Sequence, residues 1–114
     1  MKSLFVGLVS FGLFVSILGC SKGDADPQFR IWNQRSTKAN VQIQTSGGNT
    51  ITINGVNTGQ MTAYQSAAEG NITVTATIQG ETVSPTITFF AYKNNRYTVV
   101  IQTSTPPTLG VIQP

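Results

Sequence analysis

Apolar and polar residues alternate along most of this chain from Phe29 onward, and a period of two is the pattern of a half-buried β-strand. The clearest example is segment 71–79, which carries isoleucine, valine or alanine at every second position and mostly threonine between them. The same alternation predicts further strands over 29–33, 41–44, 50–53, 60–64, 86–92 and 96–103. Segment 86–92 is apolar on both faces, so we expect it to be a central strand. No window of useful length shows helical periodicity.

Groups rich in glycine and asparagine separate these segments and supply the positive φ angles of tight turns. Asn54-Gly55 is the best two-residue hairpin candidate. About seven short strands with a turn roughly every ten residues predict an all-β fold, a single small antiparallel β-sandwich. We place this domain at residues 29–104. Residues 105–114 form a Pro-containing C-terminal tail, of which 109–114 is either free tail or a short extra edge strand.

Residues 1–19 have the three parts of an export signal: a basic start at Lys2, an apolar run over 4–18 and a small residue, Gly19, before the cut. The alternative is a transmembrane anchor. An apolar run of about 15 residues is shorter than the roughly 20 that a helix needs to cross a bilayer. The sequence therefore favours a cleaved signal peptide.

Ile17-Leu18-Gly19-Cys20 resembles the lipobox of bacterial lipoprotein precursors. The resemblance implies cleavage between Gly19 and Cys20, a diacylglyceryl group on the Cys20 sulfur and acylation of the new amine. The covalent lipid would anchor the protein to a membrane, with residues 20–28 as a flexible tether. Ser21 stands where some lipoproteins carry the Asp that retains them in the inner membrane, which favours the outer membrane of the cell envelope. Periplasmic and surface-exposed orientations both remain open.

The mature part opens with Phe29-Arg30-Ile31-Trp32-Asn33, contains the turn Ala68-Glu69-Gly70-Asn71 and closes with Tyr97-Thr98-Val99-Val100. In these segments it resembles a bacterial domain-of-unknown-function family of exported β-sandwich modules. This sequence lacks the Pro and Tyr that the family usually has around that turn. The family implies a transthyretin-like or immunoglobulin-like sandwich and no established chemistry.

Composition argues against most enzyme chemistry, because the chain has no His and one Cys. Neither a disulfide framework nor a zinc site of the usual ligands can be built, and we expect no catalytic residue, metal or non-covalent cofactor. Glu69 and Glu81 are the two acids of the domain, both in predicted turns. The formal charge is +3, and part of it comes from Lys2 in the leader. The sequence has no run of basic residues, so we expect no nucleic-acid partner.

Aromatic residues offer the better indication of a binding function. If Phe29 and Ile31 face the core, Trp32 points outward beside Arg30, an arrangement typical of an anchor for a sugar or a protein. Alternatively, Trp32 covers an open edge of the sandwich. Phe90 and Tyr92 share a face that either contacts the other sheet or forms an exposed patch. The candidate binding face therefore comprises Trp32, Arg30, Phe90, Tyr92 and Tyr64.

Threonine recurs at alternate positions in three of the predicted strands, at 50 and 52, at 73, 75 and 77, and at 86 and 88. These residues would form a flat threonine-bearing sheet face, as ice-binding surfaces use, or they are ordinary outward-facing strand formers. The sequence as a whole predicts a lipid-anchored envelope protein with a non-enzymatic β-sandwich. This module meets the membrane through its acyl chains and serves a structural or interaction role toward an envelope protein. The alternative is a carbohydrate-binding surface module that uses Trp32 with nearby Arg and Tyr.

Overall fold

Alternating β-branched and polar side chains suit a pleated sheet that is covered on one face, and the protein is built from such strands. We describe it from a computed structural model over residues 25–114. Eight strands occur there: β1 (Gln28–Asn33), β2 (Ala39–Gln44), β3 (Thr50–Val56), β4 (Gln65–Ser66), β5 (Gly70–Ile78), β6 (Thr86–Ala91), β7 (Arg96–Ile101) and β8 (Leu109–Ile112). These residues contain no helix.

The strands form two four-stranded sheets, and the predicted all-β sandwich is confirmed. The first sheet has the order β4-β1-β7-β8 and the second sheet has the order β3-β2-β5-β6. The second sheet is antiparallel throughout. In the first sheet β1 pairs with β7 in parallel, from Gln28 opposite Arg96 to Asn33 opposite Ile101. The first sheet is therefore mixed, since its other two pairs are antiparallel.

The core lies between the sheets and is filled by the apolar member of each alternating pair. Ile31, Val41, Ile43, Ile72 and Val99 are completely or almost completely buried there. Burying a side chain of this size contributes about 1.5–3 kcal/mol relative to leaving it in water. The alternation that predicted the strands is thus also what holds the two sheets together.

The prediction that segment 86–92 is a central strand is wrong, because β6 is an edge strand of the second sheet. Its two apolar faces have different surroundings. Phe89 packs against the core, whereas Phe90 points outward and remains 46% exposed. Folded proteins commonly leave single apolar residues exposed to solvent. Apolar residues on both faces of a segment therefore do not show that it is a central strand.

The predicted hairpin at Asn54-Gly55 is also wrong, because both residues lie inside β3 at a β-bulge. Ala39 pairs with Val56 and Val41 pairs with Ile53, so β3 has one more residue than β2 over this stretch. Gly55 has φ 68°, a backbone conformation that glycine adopts without strain. Its N–H donates to the Asn40 side-chain oxygen at 2.8 Å. Gly55, which suggested a turn, instead provides the positive φ angle at the bulge.

The sandwich extends slightly beyond the predicted limits at both ends. Pro27 is buried and β1 begins at Gln28, so the end of the predicted tether already belongs to the fold. At the other end residues 109–112 form edge strand β8 on β7, which is the edge-strand alternative for the C-terminal segment. The signal peptide and the lipobox, including Gly19 and Cys20, lie outside the described residues.

The weak strand predicted over 60–64 is replaced by a shorter contact along β1. Met61 forms a single antiparallel bridge with Trp32, and the two-residue β4 pairs further along the same strand. Between these points the chain leaves the ladder, and the Thr62 hydroxyl accepts the backbone N–H of Ile31 at 3.0 Å. This irregular stretch brings Tyr64 to the edge of the first sheet.

Candidate binding face

The outer face of the first sheet carries the polar and aromatic residues of β1. Phe29 and Ile31 are buried in the core, at 1% and 0% exposure. Arg30 and Trp32 therefore point to the opposite side, as the alternation predicted, and both are half-buried. Trp32 lies in register with Val100 of β7 and with Met61 on the other side.

Tyr64 lies beneath two arginines from neighbouring strands. The Arg30 guanidinium carbon is 4.6 Å from the centroid of the Tyr64 ring, and that of Arg96 is 4.9 Å from the same centroid. Each distance is short enough for a cation–π interaction with the ring. Parallel pairing explains the arrangement, because it places the start of β7 beside the start of β1.

Hydrogen bonds fix the orientation of both guanidinium groups. Arg30 Nε donates to the Thr98 hydroxyl at 3.0 Å, and Arg96 Nε donates to the Gln28 side-chain oxygen at 3.1 Å. The ion pairs among residues 25–114 join Arg35 to Glu81 and Lys93 to Asp26, so neither Arg30 nor Arg96 is paired with a described carboxylate. The two arginines thus place adjacent positive charges on one surface, and neither forms an ion pair with a carboxylate of residues 25–114.

Large side chains on this surface cover two outward-facing residues of β7 and shield them from solvent. Thr98 and Val100 point outward from β7 but are only 2% and 5% exposed. Around them the surface exposes Met61 and Ile112, at 43% and 51%. We call this surface the arginine–tyrosine face, and it consists of Arg30, Trp32, Met61, Tyr64, Arg96 and Ile112.

Phe90 and Tyr92 do not join this face, because they lie on the second sheet. Their rings contact each other at a tilted angle of 47° with centroids 4.6 Å apart, and the two side chains are 46% and 58% exposed. Their side chains form the exposed patch of the two alternatives, while the Tyr92 backbone N–H donates to the Tyr97 hydroxyl of the first sheet at 2.9 Å. The five predicted binding residues thus divide into a group of three, Arg30, Trp32 and Tyr64, and a separate aromatic pair.

The outer face of the second sheet is polar except for Phe90 and carries no charged residue on its strands. Cross-strand register brings the predicted threonines together on it, and we call it the threonine face: Asn40, Gln42, Gln44, Thr50, Thr52, Asn71, Thr73, Thr75, Thr77, Thr86, Thr88 and Phe90. Neighbouring hydroxyls bond to one another, Thr73 to Thr88 at 2.9 Å and Thr75 to Thr86 at 3.0 Å. The side chains of the central strand, Gln42 and Gln44, are exposed.

The two acids singled out in the sequence lie at opposite ends of β5. Glu69 precedes this strand and accepts the backbone N–H of Lys93 at 3.0 Å, whereas Glu81 follows it and pairs with Arg35 at 2.9 Å. A nine-residue strand is about 30 Å long. The carboxyl pair of a glycoside hydrolase is about 5–10 Å apart, so Glu69 and Glu81 cannot act as such a pair.

Sequence reasoning identified Arg30, Trp32 and Tyr64 but missed Arg96 and Met61. Arg96 is distant from Arg30 in sequence, and only the parallel pairing of β1 with β7 makes them neighbours. Met61 reaches the surface through the isolated bridge to Trp32. No local pattern encodes either contact.

Comparison with known proteins supports the fold. An NMR structure of a protein from Eubacterium rectale is similar, with a TM-score of 0.59 and 20% sequence identity over 82% of this chain and 93% of that one. At this identity the likeness concerns the fold alone. No family model matches the chain, and no curated protein matches it.

Residues 25–114 contain no helix that is long and apolar enough to span a bilayer. In the same residues no three His, Cys, Asp or Glu side chains are grouped as metal ligands would be.

Proposed function

We propose that this protein is a lipid-anchored lipoprotein of the bacterial cell envelope whose β-sandwich is a non-enzymatic interaction module. The acyl chains on Cys20 would hold it at the outer membrane, and its contact surface would be the arginine–tyrosine face. The observation that carries the choice of surface is the pair of arginines over Tyr64. Neither has a carboxylate partner among the described residues.

Three properties of this face support a binding role. It combines aromatic and arginine side chains, which are enriched where proteins contact partners. It exposes Met61 and Ile112 next to those charges. Its guanidinium groups are also held in place before any ligand arrives, because each donates to a neighbouring side chain.

The lipid anchor is tested by replacing Cys20 with Ser. We expect the Cys20→Ser protein to remain unprocessed or to leave the membrane, whereas the wild type enters the detergent phase in Triton X-114 partitioning. Intact-mass spectrometry of the mature wild type should show the added acyl groups. Ser21→Ala is the matched control and should be processed and lipidated normally. A mature wild type that lacks the added acyl mass, or a Cys20→Ser protein that is cleaved and still enters the detergent phase, would refute lipidation.

A second candidate function is carbohydrate binding through Trp32 with Arg30 and Tyr64. It is favoured by the position of Trp32 on the outer face of the first sheet, beside Arg30 and the ring of Tyr64. A glycan array probed with the wild type, Trp32→Ala and Phe90→Ala tests it. Binding that is lost in Trp32→Ala and kept in Phe90→Ala supports this function, and no binding by the wild type excludes it.

A further inference from the structure

The arginine–tyrosine face begins at the end of the sandwich where the tether enters. Arg96 and Gln28 are in register at the starts of β7 and β1, and Gln28 directly follows the buried Pro27. Ala25 and Asp26 line the same surface depression as Arg96. The positive charges are therefore next to the point from which the chain leads to Cys20.

The tether is too short to carry this face far from a membrane. Five residue steps separate Cys20 from Ala25, so their Cα atoms are at most about 17 Å apart. If this segment behaves as a random coil, its root-mean-square span is about 12 Å. The Debye length at physiological salt is about 8 Å. Arg96 and Arg30 would thus repeatedly come within range of the headgroups to which the protein is anchored.

The chemistry of the face fits an anionic lipid surface. Arginine near such a surface shifts the ratio of docked to free domain by about fivefold per residue. Tryptophan and tyrosine prefer the membrane–water interface, because one part of each ring system is apolar and another is polar. Met61 and Ile112 add exposed apolar side chains beside them. Among residues 25–114 the acids near Arg96 are engaged by Lys93, since Asp26, which lines the same depression as Arg96, lies 3.9 Å from the Lys93 ammonium and Glu69 accepts the Lys93 N–H.

We propose that the arginine–tyrosine face docks on anionic lipid headgroups and so fixes the orientation of the domain on its membrane. This inference rests on the proposed lipid anchor. Anchoring has already brought the face to the surface, so a weak attraction that could not recruit a free protein is enough to orient a tethered one. Docking would turn the threonine face of the second sheet away from the membrane.

Trp32 gives a probe for this docking, since it is the only tryptophan of the chain. The mature lipidated protein is reconstituted into vesicles of brominated phosphatidylcholine, alone or with 30% phosphatidylglycerol. Bromine quenches tryptophan that reaches the bilayer. We expect the quenched fraction to rise at least twofold when the anionic lipid is present and to fall again in 1 M salt.

Variants assign the effect to the two arginines. Arg96→Gln should remove most of the rise in quenching that the anionic lipid causes, and adding Arg30→Gln should bring quenching to the level of neutral vesicles. Lys38→Gln removes the same charge beyond the far end of β1 and should leave quenching unchanged. Arg96 is exposed, so its replacement keeps the test valid if the Arg30 variant unfolds. Equal quenching in Arg96→Gln and the wild type would overturn the proposal.

Flotation of the same vesicles separates the two proposals. Protein that floats but shows no quenching refutes docking and leaves the lipid anchor intact. Protein that does not float refutes the anchor and docking with it. If an acidic polysaccharide shifts the Trp32 emission while anionic vesicles do not, the face binds glycans and docking is wrong.

Discussion

The two sheets of this sandwich are similar in size but differ in what stabilises them. The second sheet repeats one local arrangement, in which short threonine side chains on adjacent strands bond to each other. The first sheet depends on individual side chains in varied arrangements, such as Asn33, which donates to the Val56 carbonyl of the second sheet, and Arg30, which donates to Thr98 on the neighbouring strand. We therefore expect substitutions in the first sheet to have large, residue-specific effects and those on the threonine face to have small ones.

The largest effect is expected at Asn33, which is completely buried at the end of β1. Its Nδ2 donates to the carbonyls of Thr37 at 2.8 Å and Val56 at 3.0 Å, and its Oδ1 accepts the N–H of Arg35 at 2.9 Å. Asn33→Ala removes all three bonds and should lower the free energy of unfolding by about 3–4 kcal/mol. Urea denaturation followed by circular dichroism measures this change.

Asn40, which lies in the second sheet, is the matched control for Asn33. It is exposed and accepts one described hydrogen bond, from Gly55 N–H at 2.8 Å. Water can replace that bond, so Asn40→Ala should cost less than about 1 kcal/mol. Equal costs for Asn33→Ala and Asn40→Ala would contradict the proposed difference between the sheets.

The next effect is expected at Arg35, whose side chain is 11% exposed. Its Nη1 donates to the carbonyls of Gln102 at 2.7 Å and Ser104 at 2.9 Å, and its Nη2 donates to Glu81. Arg35→Ala should cost about 2–3 kcal/mol, because it leaves several of these groups without a donor. Glu81→Gln removes only the partly exposed ion pair and should cost at most about 1 kcal/mol. Thermal melts of both variants test the order.

The outer faces themselves are compared through Val100 and Gln42. Both residues lie on interior strands, β7 and β2, and both point outward. Val100 is 5% exposed, whereas Gln42 is exposed. Val100→Ala should cost about 2 kcal/mol through lost packing, and Gln42→Ala should change stability by less than about 0.5 kcal/mol. Similar values for the two variants would show that the arginine–tyrosine face is not a packed layer.

The sequence predicted the β-sandwich and the direction of most strand side chains, because burial on one face of a strand leaves a period-two pattern. It could not predict which strands become neighbours. Two errors follow from this limit. The apolar pair Phe89-Phe90 suggested a central strand where β6 is an edge, and Asn54-Gly55 suggested a hairpin where β3 contains a bulge.

The candidate site was predictable in part for the same reason. Arg30 and Trp32 were placed on an outer face by alternation alone, and both are there. Their relation to Tyr64 and Arg96 depends on the parallel pairing of β1 with β7 and on an irregular stretch after Met61. Turn residues between two alternating segments predict a hairpin, in which antiparallel strands are close in sequence. They give no signal for the parallel pairing of β1 with β7.

The smallest effect is expected on the threonine face, at Thr75. Its hydroxyl bonds to the Thr86 hydroxyl at 3.0 Å in a half-buried position. Thr75→Val keeps the β-branched shape and removes one exposed hydrogen bond that water also supplies, so the free energy of unfolding should change by at most about 0.5 kcal/mol. The double variant Thr75→Val, Thr86→Val should be no worse than the sum of the singles, as chemical denaturation can measure. A loss above about 1.5 kcal/mol from Thr75→Val would mean that the hydroxyl pairs form a cooperative network, and the second sheet would then depend on specific contacts as the first one does.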